Sequence, residues 1–523
     1  MSPLFTPLHG LYSDCLKVTR NGKNVHFDGN RAKVRYPPPE NSFIKLGQKK
    51  SISSNFQLSD GYSTIFPGIY KVAVDISLLY HRQNSLIYES KELRSHPFTF
   101  KIRRKSSPRK TAGQRQRMKK PISAKAITVG QPLSPKFQGT HASDDLKKQI
   151  SAVHRAVYFY AQASALETME DDEHYTLLFG DTLLKRNTVK KHYLDTVKRM
   201  EQFSMTYDIY DGYKCCDVSN VFACTSFQSG VIYLCKYMFD VLSPLEPNSG
   251  FDSYMDTILH EYMHVVWDAE DVRGGYGWNN AKALARDRPN SALINADNYG
   301  YFTQTTYPFN FGIDAMYVAP NGRTYIIKEN FYARLGSGRI DPFTMDSGYP
   351  RLINLGAWGA LKNNFSKRFD SLLNCGDRSL TYATSGSNYI RYSGRWAAEI
   401  DSGYPKPIKG HWGNLDPNFL MGFDSGCNIK SYGKTYVTKG KFYVRYSDDY
   451  CLNVDQGYPK LISSNWQNLP QAFKDGFDSM LGAATRVFIS KGTQYVRFTG
   501  KTFSVDTGYP KNIRGQFGGV DYQ

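Results

Sequence analysis

Val72, Val74 and Ile76 alternate with smaller or polar neighbours in GIYKVAVDISLLY (Gly68 to Tyr80). A period of two is that of a strand with one buried face. RSHPFTFKI (Arg94 to Ile102) reads as another strand, with Pro97 confining it to an edge. With FIKLGQ and SSNFQLSDGY between residues 43 and 62, the pattern predicts a β-sandwich over residues 1–105. Past residue 140 the period changes. Ile150, Val153, Val157 and Ala161 recur at helical spacing between Asp145 and Leu166, and Leu183 to Phe203 reads as a second helix. MTYDIYDGY and GVIYLC return to strand, and MDTILHEYMHVVWDA (Met255 to Ala269) returns to helix. Two short helices follow, AKALAR and SALINADNYGYF, parted by the turn at Asp287 to Pro289. Residues 141–308 are expected to form one α+β domain.

From residue 309 to 523 the chain repeats itself. Ile313-Asp-Ala recurs as Phe-Asp-Ser at Phe369, Phe423 and Phe477, and D-x-G-Y-P recurs at Asp346, Asp401, Asp455 and Asp506. Each unit spans about 54 residues and holds a strand such as KFYVRYS or TQYVRFT. Four β-units that each leave a face unburied predict a four-bladed β-propeller. The repeat resembles the hemopexin domain. That resemblance implies a binding accessory for protein substrates or extracellular matrix, with Ca2+ as a candidate ion in the central channel. Asp314, Asp370, Asp424 and Asp478 open the four units, and are read either as lining that axis or as capping their strands. Hemopexin domains join their first and last blades by a disulfide. The tail here has no Cys, so closure is expected from strand pairing and packing.

Charge enters the picture at one place. The chain of 523 residues carries a formal +19, yet Lys101 to Lys125 holds many Lys and Arg and no acid. With almost nothing apolar to bury, residues 106–140 are expected to be an exposed basic linker. Its dibasic stretches, ending at Arg104, Arg117 and Lys120, suit a processing protease; polyanion binding is the rival reading. Of eight cysteines, Cys215, Cys216, Cys224 and Cys235 crowd together outside any zinc-knuckle spacing. Local disulfides, and hence a secreted protein, are expected. No run approaches the roughly 18 apolar residues of a membrane span, and the first residues do not read as a secretory leader.

Candidate chemistry sits in HEYMH, His260 to His264. Histidines four apart share one helix face and reach one zinc ion, while Glu261 is placed to act as general base on a metal-bound water. Catalytic zinc takes three protein ligands and leaves one position open. No His occurs between His264 and His411, and no Glu between Glu270 and Glu329. The third ligand is therefore sought among Asp268, Asp271, Asp287 and Asp297, with Glu270 as an outside candidate.

HExxH with an Asp ligand, together with Tyr276-Gly277, NADNYGYF (Asn295 to Phe302), GVIYLC and LFG (Leu178 to Gly180), resembles the deuterolysin-type zinc endopeptidases, or aspzincins. The resemblance covers residues 141–305. It implies catalytic Zn2+, Glu261 as base, Tyr276 on the oxyanion and a further active tyrosine at Tyr233. It also implies a substrate pocket at Asp297 and Gly300, where relatives that cut before lysine carry Asp and Glu. Where the family places its ligand Asp, this chain has Arg273, whose guanidinium has no lone pair for a metal. Asp271 is the first expectation for the third ligand, Asp297 the second, and a His-His-water site the third. The expected protein is thus multidomain: a β-sandwich propeptide, a linker, an α+β zincin-like domain and a hemopexin-like propeller. Its expected function is that of a secreted zinc metalloendopeptidase made as a zymogen. The rival is a pseudoprotease, silenced by Arg273, that works by binding.

Overall fold

The computed structural model describes residues 15–35, a few positions from 51 to 62, and residues 67–102 and 130–517, each span with short gaps. FIKLGQ and the processing candidates Arg104, Arg117 and Lys120 lie outside the described residues. The chain divides into two compact units, Met1–Gln304 and Thr305–Gln523.

The N-terminal region builds one five-stranded sheet from β1 (Leu16–Arg20), β2 (Lys23–Asn24), β4 (Gly68–His81), β5 (Tyr88–Arg94) and β6 (Phe98–Ile102), while β3 (Arg31–Val34) leaves it. The first half of β4 pairs with β1 and β6, and its second half with β5. The expected strand Arg94 to Ile102 is split, and Pro97, which has no N–H to give a ladder, stands in the break before β6. Val72 and Val74 lean on a core of Leu16, Val18, Phe27, Tyr62 and Tyr70. Among the described residues of this region, every strand but β3 belongs to this sheet.

The second sheet runs β3–β9–β10–β8–β7, with β7 Lys136–Gln138, β8 Thr206–Ile209, β9 Val221–Thr225 and β10 Val231–Leu234. Here the linker reading is corrected. Residues 136–138 are not free chain, because they pair in parallel with β8. Likewise the N-terminal region is not a separate body, since β3 pairs antiparallel with β9 across Arg31↔Thr225, Ala32↔Cys224 and Lys33↔Ala223.

Helices α1 (Asp144–Glu167), α2 (Asp172–Phe179), α3 (Leu183–Gln202) and α4 (Lys236–Val241) precede α5 (Tyr254–Trp267), and α6 (Trp278–Asp287), α7 (Pro289–Ala292) and α8 (Ala296–Thr305) follow it. The Ser143 hydroxyl caps α1 by accepting the Leu146 N–H at 3.2 Å, and Asp144 and Asp145 favour the positive helix end. Ile150, Val153, Val157 and Ala161 are buried on the face expected. Disulfides Cys215–Cys224 and Cys216–Cys235 staple the loops around β9 and β10.

Among its described residues the second unit contains four antiparallel sheets of four strands each, whose first strands are Ala315–Val318, Ser371–Asn374, Ser425–Ile429 and Ser479–Ala483. Both repeated markers are structural. Asp314, Asp370, Asp424 and Asp478 each accept a backbone N–H across the following hairpin, from Glu329, Gly386, Gly440 and Gly492 at 2.6–2.7 Å. That is the capping role. In D-x-G-Y-P the Asp accepts from an Arg Nε (Arg334, Arg391, Arg445, Arg497), and the Tyr ring lies 5.0–5.2 Å from the same guanidinium. Trp358, Trp412 and Trp466 fill the layers between successive sheets. A disulfide not foreseen, Cys375–Cys451, ties the second repeat to the third.

Candidate active site

α5 starts where the Ser253 hydroxyl accepts the Asp256 N–H at 3.1 Å. It ends where Asp268 turns left-handed, with φ of 55°. The helical repeat puts Asp256, His260 and His264 in one row. Both histidines are fully buried, with their Nε2 atoms 3.0 Å apart. Each has a backing group on Nδ1: the Ala269 carbonyl 2.7 Å from His264, and Asp297 Oδ1 2.8 Å from His260. Such partners fix ring orientation and leave Nε2 free to face a metal.

The next loop is stitched by Asn295. Its Oδ1 accepts the Val272 N–H at 2.9 Å, its Nδ2 donates to the Gly275 carbonyl at 3.2 Å, and Glu270 forms a bridge to its backbone. A Cβ at Gly275 would lie 2.8 Å from Asn295 Nδ2, so the tight turn needs glycine there. Held in this way, Asp271 Oδ1 sits 3.1 Å from His260 Nε2 and 3.2 Å from His264 Nε2. Donors about 2.0–2.1 Å from a shared tetrahedral zinc lie about 3.3 Å from one another. The three donors form a triangle of that size. Neither oxygen of the buried Asp271 carboxylate accepts a hydrogen bond. Burial opposes its ionisation, but the two imidazoles outweigh burial and hold its pKa far below the usual carboxylate range.

The other candidates for the third ligand stand elsewhere. Asp268 is engaged by Arg31 at 2.5 Å and His26 at 2.8 Å, and Asp287 is exposed beside Arg286. Asp297 backs His260 on the side away from the Nε2 triangle and also accepts the Gly277 N–H at 2.9 Å. Arg273 points out to Asp75 on β4, at 2.6 Å. The side chain that threatened the site is not in it.

β3 is. It lies along β9 so that the Ala32 carbonyl accepts the Tyr276 hydroxyl at 2.8 Å, and the Lys33 N–H reaches Glu261 Oε1 at 3.3 Å. Glu261 is fully buried, and burial pushes its pKa up to about 8 against the pull of His260. The Lys33 side chain enters a closed acidic pocket, with its Nζ 2.7 Å from Asp297, 3.3 Å from Asp252 and 3.5 Å from Asp256. The Tyr301 ring lies 4.7 Å from the ammonium. Burial penalises that charge, but the three aspartates outweigh burial and hold the lysine pKa well above its ordinary range. In the same pocket burial lifts Asp252 to about 6 and Asp256 to about 7, with Lys33 opposing. Removing one partner of a buried ion pair costs about 3–5 kcal/mol. Gly300 has a reason too: a Cβ there would fall 2.2 Å from Asp256 Oδ1, so the glycine leaves room for that carboxylate.

Residues 164–304 match the family described as lysine-specific metallo-endopeptidase, an aspzincin family, and residues 313–356 and 428–471 match the family described as hemopexin. A peptidyl-Lys metalloendopeptidase of Grifola frondosa is 25% identical over 57% of this chain and 81% of its own. An extracellular protease of Aeromonas hydrophila is 43% identical over 14% of this chain and 20% of its own. The structure of a zinc peptidase from Grifola frondosa aligns at 26% identity over 31% of this chain and 96% of its own, with a TM-score of 0.26. The chain is an aspzincin-like metalloendopeptidase with a hemopexin-like domain. Zinc is the metal the family implies, and His260, His264 and Asp271 fit it in donor type and spacing.

Tyr233, expected to be active in this aspzincin-like enzyme, lies on β10 opposite Cys224, packed in a cluster with Ala32 and Val34. Asp252, Asp256 and Lys33 were missed in the sequence. For Asp256 a signal was present: it stands one turn before His260 on the face that carries both histidines.

Proposed function

We propose that this metalloendopeptidase is a secreted zymogen. Its N-terminal β-region keeps the cleft shut by laying β3 through it. What carries this reading is the pairing of β3 with β9 in contact with both Tyr276 and Glu261. Adding a strand to a sheet edge is a common way to bind an extended peptide, and a substrate entering the same groove meets the same groups. When bound, zinc lowers the pKa of a water ligand and polarises the scissile carbonyl. Glu261 takes the water proton and passes it to the departing amide nitrogen, and the Tyr276 hydroxyl steadies charge on the carbonyl oxygen.

Cleavage at Arg104, Arg117 or Lys120 would free the β-region to leave. Secretion is supported by the disulfides and by the extracellular Aeromonas relative. For the second unit the reading is a closed four-bladed propeller that binds large substrates or matrix, with Ca2+ as a channel ion. Closure draws support from the first strands of successive sheets running side by side, the first beside the fourth, and from the Phe343 N–H donating to the Gln516 carbonyl at 2.7 Å. Polyanion contact through the linker is a secondary property in this reading.

The test compares casein cleavage by intact and linker-cut protein, with and without a zinc chelator, beside Glu261→Gln. Chelator-sensitive activity that rises on linker cleavage and vanishes in Glu261→Gln supports the zymogen. Equal activity before and after cleavage removes the zymogen reading. No activity in folded, zinc-supplied, linker-cut protein removes the peptidase mechanism and returns the pseudoprotease.

A further inference from the structure

We propose that the Ala32–Lys33 peptide bond is this enzyme's own first substrate, held by β3 in cutting register with Lys33 in a pocket that Asp256 and Asp252 complete. The inference rests on the peptidase reading above and deepens it, because it names the bond of this chain that the site holds; a preference for lysine is already in the description of the matched family.

An inhibitory segment that merely blocks a cleft can lie in any register. This one places the carbonyl of residue 32 on the Tyr276 hydroxyl, 2.8 Å, and the N–H of residue 33 on Glu261, 3.3 Å. These are the two ends of a single peptide bond, and they meet the two groups that hydrolysis needs there. The side chain that follows the bond is a lysine with no exposed surface, in a pocket whose only charge complement is a cation. Neither Asp256 oxygen has a hydrogen-bond donor, so its charge is answered by the Lys33 ammonium 3.5 Å away. Gly300 vacates the space that Asp256 fills. The pocket thus reads lysine by carboxylates on α5 and the segment before it, besides Asp297 on α8.

The chemistry balances with water as the second reactant. The water oxygen bonds to the Ala32 carbonyl carbon and the C–N bond breaks. Glu261 transfers one water proton to the Lys33 nitrogen, which leaves as an amine and takes up the second proton as an ammonium when the new Ala32 carboxyl group ionises to a carboxylate. β1 stays paired with β4 across the cut, from Leu16↔Val74 to Arg20↔Tyr70, so the two pieces remain associated until the linker is severed.

The full chain, purified metal-free, is incubated with zinc at a series of protein concentrations, and its fragments are read by intact mass and N-terminal sequencing. A new N-terminus at Lys33, formed at a rate independent of protein concentration, is expected in the wild type and absent in Glu261→Gln. It should fall at least tenfold in Lys33→Gln and Asp256→Asn. Trypsin-like contaminants cut after Arg31 or Lys33, so they cannot make this end. Casein, digested by the linker-cut enzyme in parallel, should be cut on the amino side of lysine. Cleaved casein with Ala32–Lys33 intact, or casein cut without lysine preference, overturns the inference and leaves the peptidase reading standing. Uncut casein fails both. A readout without metal completes the test: amide exchange of residues 31–35 should speed up at least tenfold in metal-free Lys33→Gln while α5 is unchanged. Unchanged exchange shows that Lys33 does not anchor β3, and overturns the inference.

Discussion

Arg273 Nη1 lies 2.6 Å from an Asp75 oxygen, which turns the guanidinium away from the His260–His264 pair and onto the N-terminal sheet. A residue that looked like a destroyed ligand is thus a fastening between the β-region and the protease. Both side chains are about 30% exposed, 31% and 30%, so the pair contributes no more than about 1 kcal/mol. Arg273→Ala in linker-cut enzyme should keep zinc affinity and casein turnover within about threefold, while the intact chain leaks a few-fold more activity, as loss of about 1 kcal/mol implies. Loss of zinc binding in Arg273→Ala would show the side chain to matter at the metal after all.

Asp271 is the reverse case. Its carboxylate completes the triangle with two imidazoles and accepts no hydrogen bond. Asp271→Asn should weaken zinc by more than the roughly 10–100-fold that outer-shell changes cost, measured by competition with a chromogenic chelator. Asp287→Ala, at an exposed site beside Arg286, should bind zinc as the wild type does.

The sequence carried the elements and most of the site, for identifiable reasons. HExxH is local, since helix geometry alone aligns His260 with His264, and the repeats of the second unit disclose themselves by recurrence. Asp271 was one of several acids near HExxH until Asn295, more than twenty residues on, fixed the loop. Lys33 was illegible, because its meaning depends on a strand pairing with β9 across about 190 residues of chain, and such register leaves no local trace. The β-sandwich expectation arose from alternation in β4, which reports a half-buried strand and not what covers it. Gly300 was read as a lost acid. Only the folded chain brings the Asp256 carboxylate of α5 into the space that a side chain at position 300 would need.

The grip of the segment before β3 should depend on pH through His26. Its hydrogen bond to Asp268, 2.8 Å, raises its pKa above 6.5, with burial opposing. A raised folded pKa means the contribution is complete below about 6.5 and fades as pH climbs through the folded value. Asp268 is lowered from 3.8, because His26 and Arg31 outweigh the burial that opposes them, so its contribution fades only in strong acid. Exchange of residues 25–27 should therefore be slower at pH 5.5 than at pH 8, beyond the intrinsic rate change. The difference between wild type and His26→Ala isolates this effect, since Asp252 and Asp256 are common to both. A difference of the same size at both pH values would mean that the ring does not hold Asp268 as a cation.

Gly300→Ala probes the pocket without touching a charge. The added methyl would meet Asp256 Oδ1 at 2.2 Å, far inside contact distance, and the neighbouring Asp256 backbone carbonyl at 3.5 Å. Helix α8 is fully packed here, so the Asp256 carboxylate is the part that must move, and it moves away from the position that faces Lys33. The metal triangle does not involve either residue. Zinc affinity should stay within about threefold, while kcat/KM for a peptide with lysine after the scissile bond drops about tenfold, the size of one weakened ion pair of about 1.4 kcal/mol. The same peptide with alanine in place of lysine should lose much less. If both peptides fall together, the methyl has disturbed the catalytic groups themselves, and Asp256 is not what reads the lysine.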